Sequence, residues 1–191
     1  MEKELTGKIP HGQISMLELS RLPGDLLAAF RALGDLSGLV SDACDELGIA
    51  CGVPAAVLRP TDPKARIAGQ ALTVLNRRLD LPLADAVAAK VSRLGEIGYP
   101  VWSRGASPVT GKWRIETTAI NVPVTICGIT VSPGDLVVAD EVGVCFVPSA
   151  RAAEVLAVVK TLVRYEDERM AQINAGASVV DLANAKRPAS K

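Results

Sequence analysis

The chain has 191 residues, and its 21 Lys and Arg balance 21 Asp and Glu to a formal net charge of zero. That balance speaks against a basic nucleic-acid footprint or an anionic membrane surface as obligatory partner, and the length accommodates one domain with an extension rather than two full domains. With 49% hydrophobic residues but only 3% aromatic ones, the core must be built from Ala, Val, Leu and Ile, so a mixed α/β or α+β class is expected.

The start, "MEKELTGKIPHGQ", lacks the apolar segment of a signal peptide, and no run of about eighteen apolar residues occurs; a cytoplasmic protein with a mobile segment over 1–20 is the expectation. Next, "LPGDLLAAFRALGDLSGLVSDACDELGI" carries Leu26, Leu27, Phe30 and Leu33 at helical spacing, with Gly34 as a stop. A second helix is predicted from an Asp35 or Ser37 N-cap to Leu47, ending on Gly48. After a loop with Pro60 and Pro63, "RIAGQALTVLN" reads as a strand whose glycine marks a bulge or a close approach. "LPLADAVAAKVSRLGEIG" reads as a helix from near Pro82, and "YPVWSRG" as a short strand.

From Ile115 the pattern changes to β-branched strands separated by the turn signals "CG", "SPGD" and "DEVG", a meander of short strands. "SARAAEVLAVVKTLVRYEDERMAQINAG" predicts a long amphipathic helix with Ser149 as N-cap and Gly176 beyond its end. The domain is expected over 21–176, and 177–191 as a tail.

Cys44, Cys51, Cys127 and Cys145 lie in apolar contexts with no C-x-x-C pair and read as buried free thiols. His11 is the sole histidine, which excludes a His-based metal site or a Ser-His-Asp triad. Neither G-x-x-x-x-G-K-[ST] nor G-x-G-x-x-G is present, so no nucleotide cofactor is expected.

The ordered set "LVSDACDELG", "RPTDPKARIAGQALTV", "IGYPVWSRGASP", "NVPVTICGITVSPGDLVVADEVGVCFVP" and "AAEVLAVV" resembles the RraA-like family, which includes 4-hydroxy-4-methyl-2-oxoglutarate and 4-carboxy-4-hydroxy-2-oxoadipate aldolases that also decarboxylate oxaloacetate. The resemblance implies a swivelling β/β/α-like single domain, with N-terminal helices, a C-terminal strand meander and a long C-terminal helix. It also implies a homotrimer or hexamer with sites between subunits, and a magnesium or manganese ion that acts as Lewis acid on a small 2-oxo dicarboxylic acid. This chain departs from the family where an Arg-Asp pair should stand: a block of roughly 35 to 45 residues, by average element lengths, is missing.

Under the resemblance, Arg93 is the candidate carboxylate clamp. Leu94 follows where a metal-binding acid belongs, leaving Glu96 and Asp140 as candidate metal ligands. Glu141 is the candidate for proton transfer to the enolate carbon and Asp42 for the rim of the cleft. Beside these roles stand plainer ones: Asp140 and Glu141 as solvated turn acids, Asp42 with Glu46 as a solvated helix face, Arg104 as a loop arginine, and Trp102 and Trp113 as core or interface residues. A non-catalytic RraA-like module that binds a protein partner is the alternative function.

Overall fold

The computed structural model describes residues 9, 11–78, 94, 96–105 and 115–184. The helix expected from Pro82, Trp113 and Arg93 lie outside the described residues. The described fold is α+β, with a long C-terminal helix packed on a small antiparallel sheet.

Two N-terminal helices form where expected, α1 over Gly24–Arg31 and α2 over Leu36–Glu46. Asp35 caps α2, its carboxylate accepting from the Gly38 N–H at 3.1 Å. Gly48 stops it at φ 67°: the Ile49 N–H donates to the Cys44 carbonyl and the Gly48 N–H to that of Asp45, the paired bonds of a Schellman end. The long helix α3, Ala152–Asn174, closes on Gly176 in the same way, with the Ala177 and Gly176 N–H groups donating to Gln172 and Ile173.

The strands are β1 (Gly52–Pro54), β2 (Arg59–Pro60), β3 (Ile67–Gln70), β4 (Val74–Arg78), β5 (Trp102–Ser103), β6 (Ile115–Ile120), β7 (Val124–Ile126), β8 (Ile129–Val131), β9 (Leu136–Ala139) and β10 (Gly143–Val147). The main sheet runs β1-β10-β9-β3, antiparallel throughout, while β2 pairs with β5, β4 with β6 and β7 with β8. The "CG" signal becomes the β7–β8 turn with Cys127 and Gly128 both at positive φ, as a two-residue hairpin of the right twist requires.

Alternation along β9 and β10 explains why both read as unbroken apolar runs. Leu136, Val138, Cys145 and Val147 point into a cluster with Phe30, Leu39 and Val40 of the helices and Val155 and Val159 of α3. Val137, Ala139, Val144 and Phe146 point the other way, against Val53, Val131 and Trp102. Both faces of the strand pair are covered, so neither can carry a polar stripe. No helix among the described residues is long and apolar enough to cross a membrane.

Two expectations change. "RIAGQALTVLN" is not one strand: Ala71–Thr73 separate β3 from β4, and the Ala71 N–H donates to the Asp135 carbonyl while its own carbonyl accepts from Gly134. Gly69 sits in open space in a regular register, and the irregularity falls at Leu75/Asn76 instead. Ser149 makes no side-chain cap. It begins a short 3-10 turn before α3, and its N–H is held by the distant Asp135 carboxylate at 3.0 Å. Ahead of α1, the Ser15 N–H donates to the Ile120 carbonyl, and Gln70 bonds both Ser20 and Leu22.

One contact sets the spacing of β1 against the β9–β10 turn. A Cβ added to Gly143 would lie 2.5 Å from the Val53 carbonyl oxygen, a backbone atom that cannot swing away. Gly143→Ala is therefore expected to destabilise the fold by about 1–3 kcal/mol, the usual cost of overpacking, read as a lower urea midpoint with an unchanged slope.

Candidate functional site

The two acids between the apolar runs have opposite surroundings. Asp140 is 2% exposed, whereas Glu141 faces solvent at the tip of the turn. The Asp140 carboxylate accepts from the Ser37 N–H at 2.8 Å and the Ser37 hydroxyl at 2.5 Å, and from the Val142 N–H at 2.9 Å and the Gly143 N–H at 3.4 Å. Its backbone carbonyl accepts from Trp102 Nε1 at 2.8 Å. One residue thus joins the first turn of α2, the β9–β10 turn and β5.

Burial alone would push the Asp140 carboxyl up, but the bonds from Ser37, Val142 and Gly143 outweigh it and hold the group below its ordinary value. It is a buried carboxylate stabilised by four donors, at the N-terminal end of a helix where an anion is favoured.

Beside this turn lies a cavity of about 300 Å³ lined by Ser37, Ser41, Asp42, Pro54, Val142 and Cys145 together with backbone of Gly52 and Gly143. The sequence candidates separate here. Asp42 reaches the cavity wall from α2; Asp140 stands behind it, committed to Ser37 and the turn; Glu141 projects outside the lining. Glu96 is exposed in the turn before Tyr99, and Arg93 lies outside the described residues. Arg104 is exposed, with Nη2 3.8 Å from Cys127 Sγ.

A hard divalent cation needs several free oxygen ligands. Both Asp140 oxygens are engaged by the chain's own donors, and no group of three His, Cys, Asp or Glu side chains among the described residues could hold a metal ion. The described donor set does not fit magnesium or manganese.

Ser37 and Asp135 escaped the sequence reading. Ser37 has the local setting of a helix cap, whereas its partner lies 103 residues away. Asp135, 7% exposed, accepts from the Ser132 N–H at 2.8 Å as well as from Ser149. The "SPGD" turn signal marked its position without marking its burial.

Residues 84–146 match the RraA-like family model, Aldolase/RraA. Protein DlpA of Legionella pneumophila is 30% identical over 112 residues, a stretch that covers 58% of this chain but only 18% of DlpA. Among solved structures, an uncharacterized protein from Pseudomonas syringae pv. tomato superposes with a TM-score of 0.73 at 26% identity, over 85% of this chain and 98% of the other. RraAS2 of Streptomyces coelicolor, described as an unusual member of the RNase ES inhibitor RraA protein family, shares the fold with a TM-score of 0.67 at 20% identity, over 80% and 98% of the two chains. The match over residues 84–146, which runs through the β9–β10 turn, together with the common fold, makes this chain similar to the RraA-like proteins.

Proposed function

We propose that this chain is a binding module on the RraA-like scaffold, acting as a homo-oligomer that engages a protein partner, rather than a metal-dependent lyase. The observation that carries this reading is the saturation of Asp140: the buried acid nearest the candidate cleft spends both oxygens on α2 and on its own turn. Withdrawing it toward a cation would strand the buried Ser37 and Gly143 donors in the interior.

A contact surface supports the same reading. A groove of about 420 Å³ runs between Leu72–Asn76 and Val124–Ile126, floored by Val131, Val137 and Phe146. At its edge Leu72 is 69% exposed, Val74 44% and Leu75 40%, an apolar concentration characteristic of protein–protein contact. The RNase ES inhibitor family named for RraAS2 supplies the class of partner, an RNA-degrading enzyme.

The second reading is the family lyase, cleaving or decarboxylating a small 2-oxo dicarboxylic acid with magnesium or manganese. The polar wall of the cavity, Ser37, Ser41 and Asp42, favours it, because the space holds a small dicarboxylate. In that reading Arg93 clamps a carboxylate, Asp42 and Glu141 handle protons, and Glu96 with Asp140 would have to supply the metal.

Pyruvate release separates the two. With oxaloacetate or 4-hydroxy-4-methyl-2-oxoglutarate and either metal, no turnover above a metal-only control is expected, and calorimetry should show no magnesium-dependent oxalate binding; turnover would establish the lyase. In sedimentation velocity the chain should run as an oligomer, and Leu72→Glu should abolish co-sedimentation with an RNA-degrading enzyme without changing that oligomer.

Asp140 itself tests the structural role. Asp140→Ala leaves buried N–H groups without an acceptor and should lower stability by about 3 kcal/mol or more. Because the native carboxyl is held below its unfolded value, its contribution is complete above about pH 4 and is lost as pH falls through the native pKa. Denaturant midpoints should therefore drop steeply on acidification in the wild type and less steeply in Asp140→Asn.

A further inference from the structure

One edge of β4 is left open by its pairing with β6. The Asn121 N–H donates to the Thr73 carbonyl at 2.9 Å, and the register sets Val74 opposite Ile120 and Leu75 opposite Ala119. Bonded and non-bonded pairs alternate along an antiparallel ladder, so Thr73 turns its carbonyl toward β6 and Val74 turns both its polar groups away. The partner strand has the same phase: the Ile120 carbonyl points outward and accepts from the Ser15 N–H at 3.1 Å. Among the described residues no bond outside the ladder reaches the Val74 N–H or carbonyl.

Other edges are closed. Arg31 Nε donates to the Ala68 carbonyl of β3 at 3.0 Å, Ile14 and Ser15 cover β6 at Ile120, and on β1 Pro54 has no N–H while its carbonyl accepts from Val57 and Leu58. Proteins blunt exposed edges in such ways because an unpaired strand recruits another. Val74 has no such guard, and Leu72, Val74 and Leu75 are all exposed around the opening.

The groove of about 420 Å³ lies against this edge. Every residue from 71 to 76 lines it; side chains alternate between the faces of a strand, so an unbroken run puts backbone as well as side chains in the wall. No lining residue is ionisable, and the adjoining Arg77 is already paired with Glu116 at 2.7 Å. A charged occupant would lose its hydration there with no counter-charge to receive it. An uncharged one matches.

We propose, resting on the binding role above, that the groove takes an extended, uncharged segment of the partner protein with apolar side chains at every second position, added as a strand to the open edge of β4. Paired antiparallel, one residue of that segment exchanges both main-chain bonds with Val74: its carbonyl accepts from the Val74 N–H and its N–H donates to the Val74 carbonyl. Main-chain bonds supply the affinity, and the apolar floor of Val131, Val137 and Phe146 selects the alternation.

The test uses the full-length protein and a capped, dye-labelled peptide of sequence Thr-Val-Thr-Val-Thr, followed by fluorescence anisotropy. Saturable binding is expected, with slowed hydrogen exchange of the Val74 amide in the complex. N-methylation of alternate peptide residues should abolish binding in one frame and spare it in the other, since the side chains are the same and only the edge facing β4 differs. Val74→Pro removes the open N–H at an edge position where proline is tolerated and should weaken binding about tenfold. The N-methylated peptides act on the unaltered protein, so they decide the matter even if that variant fails to fold. Absence of peptide binding, equal binding of both N-methylated frames, or a Val74 amide that exchanges as fast in the complex as in the free protein overturns the proposal. A Val74 amide protected without peptide in a concentration-dependent way overturns it too, because a second copy then holds the edge. These failures leave the binding role standing where an RNA-degrading enzyme still co-sediments with the chain; metal-dependent pyruvate release removes that role whatever the peptide does.

Discussion

The buried carboxylate of Asp140 is the constraint from which the rest of the architecture follows. Strands β9 and β10 are covered on both faces, so the base of the turn joining them, where Gly143 and the neighbouring Ser37 are buried, cannot rely on water for its N–H groups. It needs an acceptor brought by the chain, and a carboxylate can serve several donors at once. Asp140 satisfies Val142 and Gly143 in its own turn and, with its second oxygen, the Ser37 N–H at the start of α2. The sheet therefore fixes where α2 starts, and the helix fixes where the sheet turns.

The opposite end of β9 repeats the arrangement. Asp135 closes the Ser132–Asp135 turn and receives the Ser149 N–H at the start of the turn leading into α3. One four-residue strand is thus bracketed by two buried acids, each placed at the beginning of a helix, where the unpaired N–H groups and the helix dipole both favour a negative charge. This accounts for the packing of α2 and α3 side by side over Leu136 and Val138: their starts are held by the two ends of a single strand.

Local chemistry made much of this legible. Asp35 caps, Gly48 and Gly176 stop helices, and Cys127-Gly128 turns a hairpin, because in each case donor and acceptor lie within a few residues. Ser149 misled for the opposite reason. Its neighbourhood has the composition of a cap, yet the acceptor that serves it sits 14 residues earlier. Asp140 was harder still, since "ADEVG" reads identically whether its acid is solvated or buried; only the Ser37 contact, 103 residues away, distinguishes the two. Of the candidate site, the sequence located the α2 acid Asp42 and the β9–β10 turn, which do border one cavity. It could not show that the turn acid was already committed, because hydrogen-bond saturation is a property of packing.

That commitment bears directly on chemistry. An acid coordinates a hard cation with lone pairs that are otherwise hydrated, and removing water from it is the usual cost of binding. Asp140 has surrendered its water to backbone donors, so a cation there would compete with the start of α2 and the β9–β10 turn at the same time. Glu141, adjacent in sequence and exposed, is under no such constraint, but it lies outside the cavity lining. The fold has placed its charge where it holds helices to sheet and has left apolar side chains, Leu72, Val74 and Leu75, at the surface. Under the binding role proposed above, recognition proceeds through shape and apolar contact, with the cavity beside α2 as a polar recess whose wall is set by Ser37, the residue that Asp140 and Cys145 both hold.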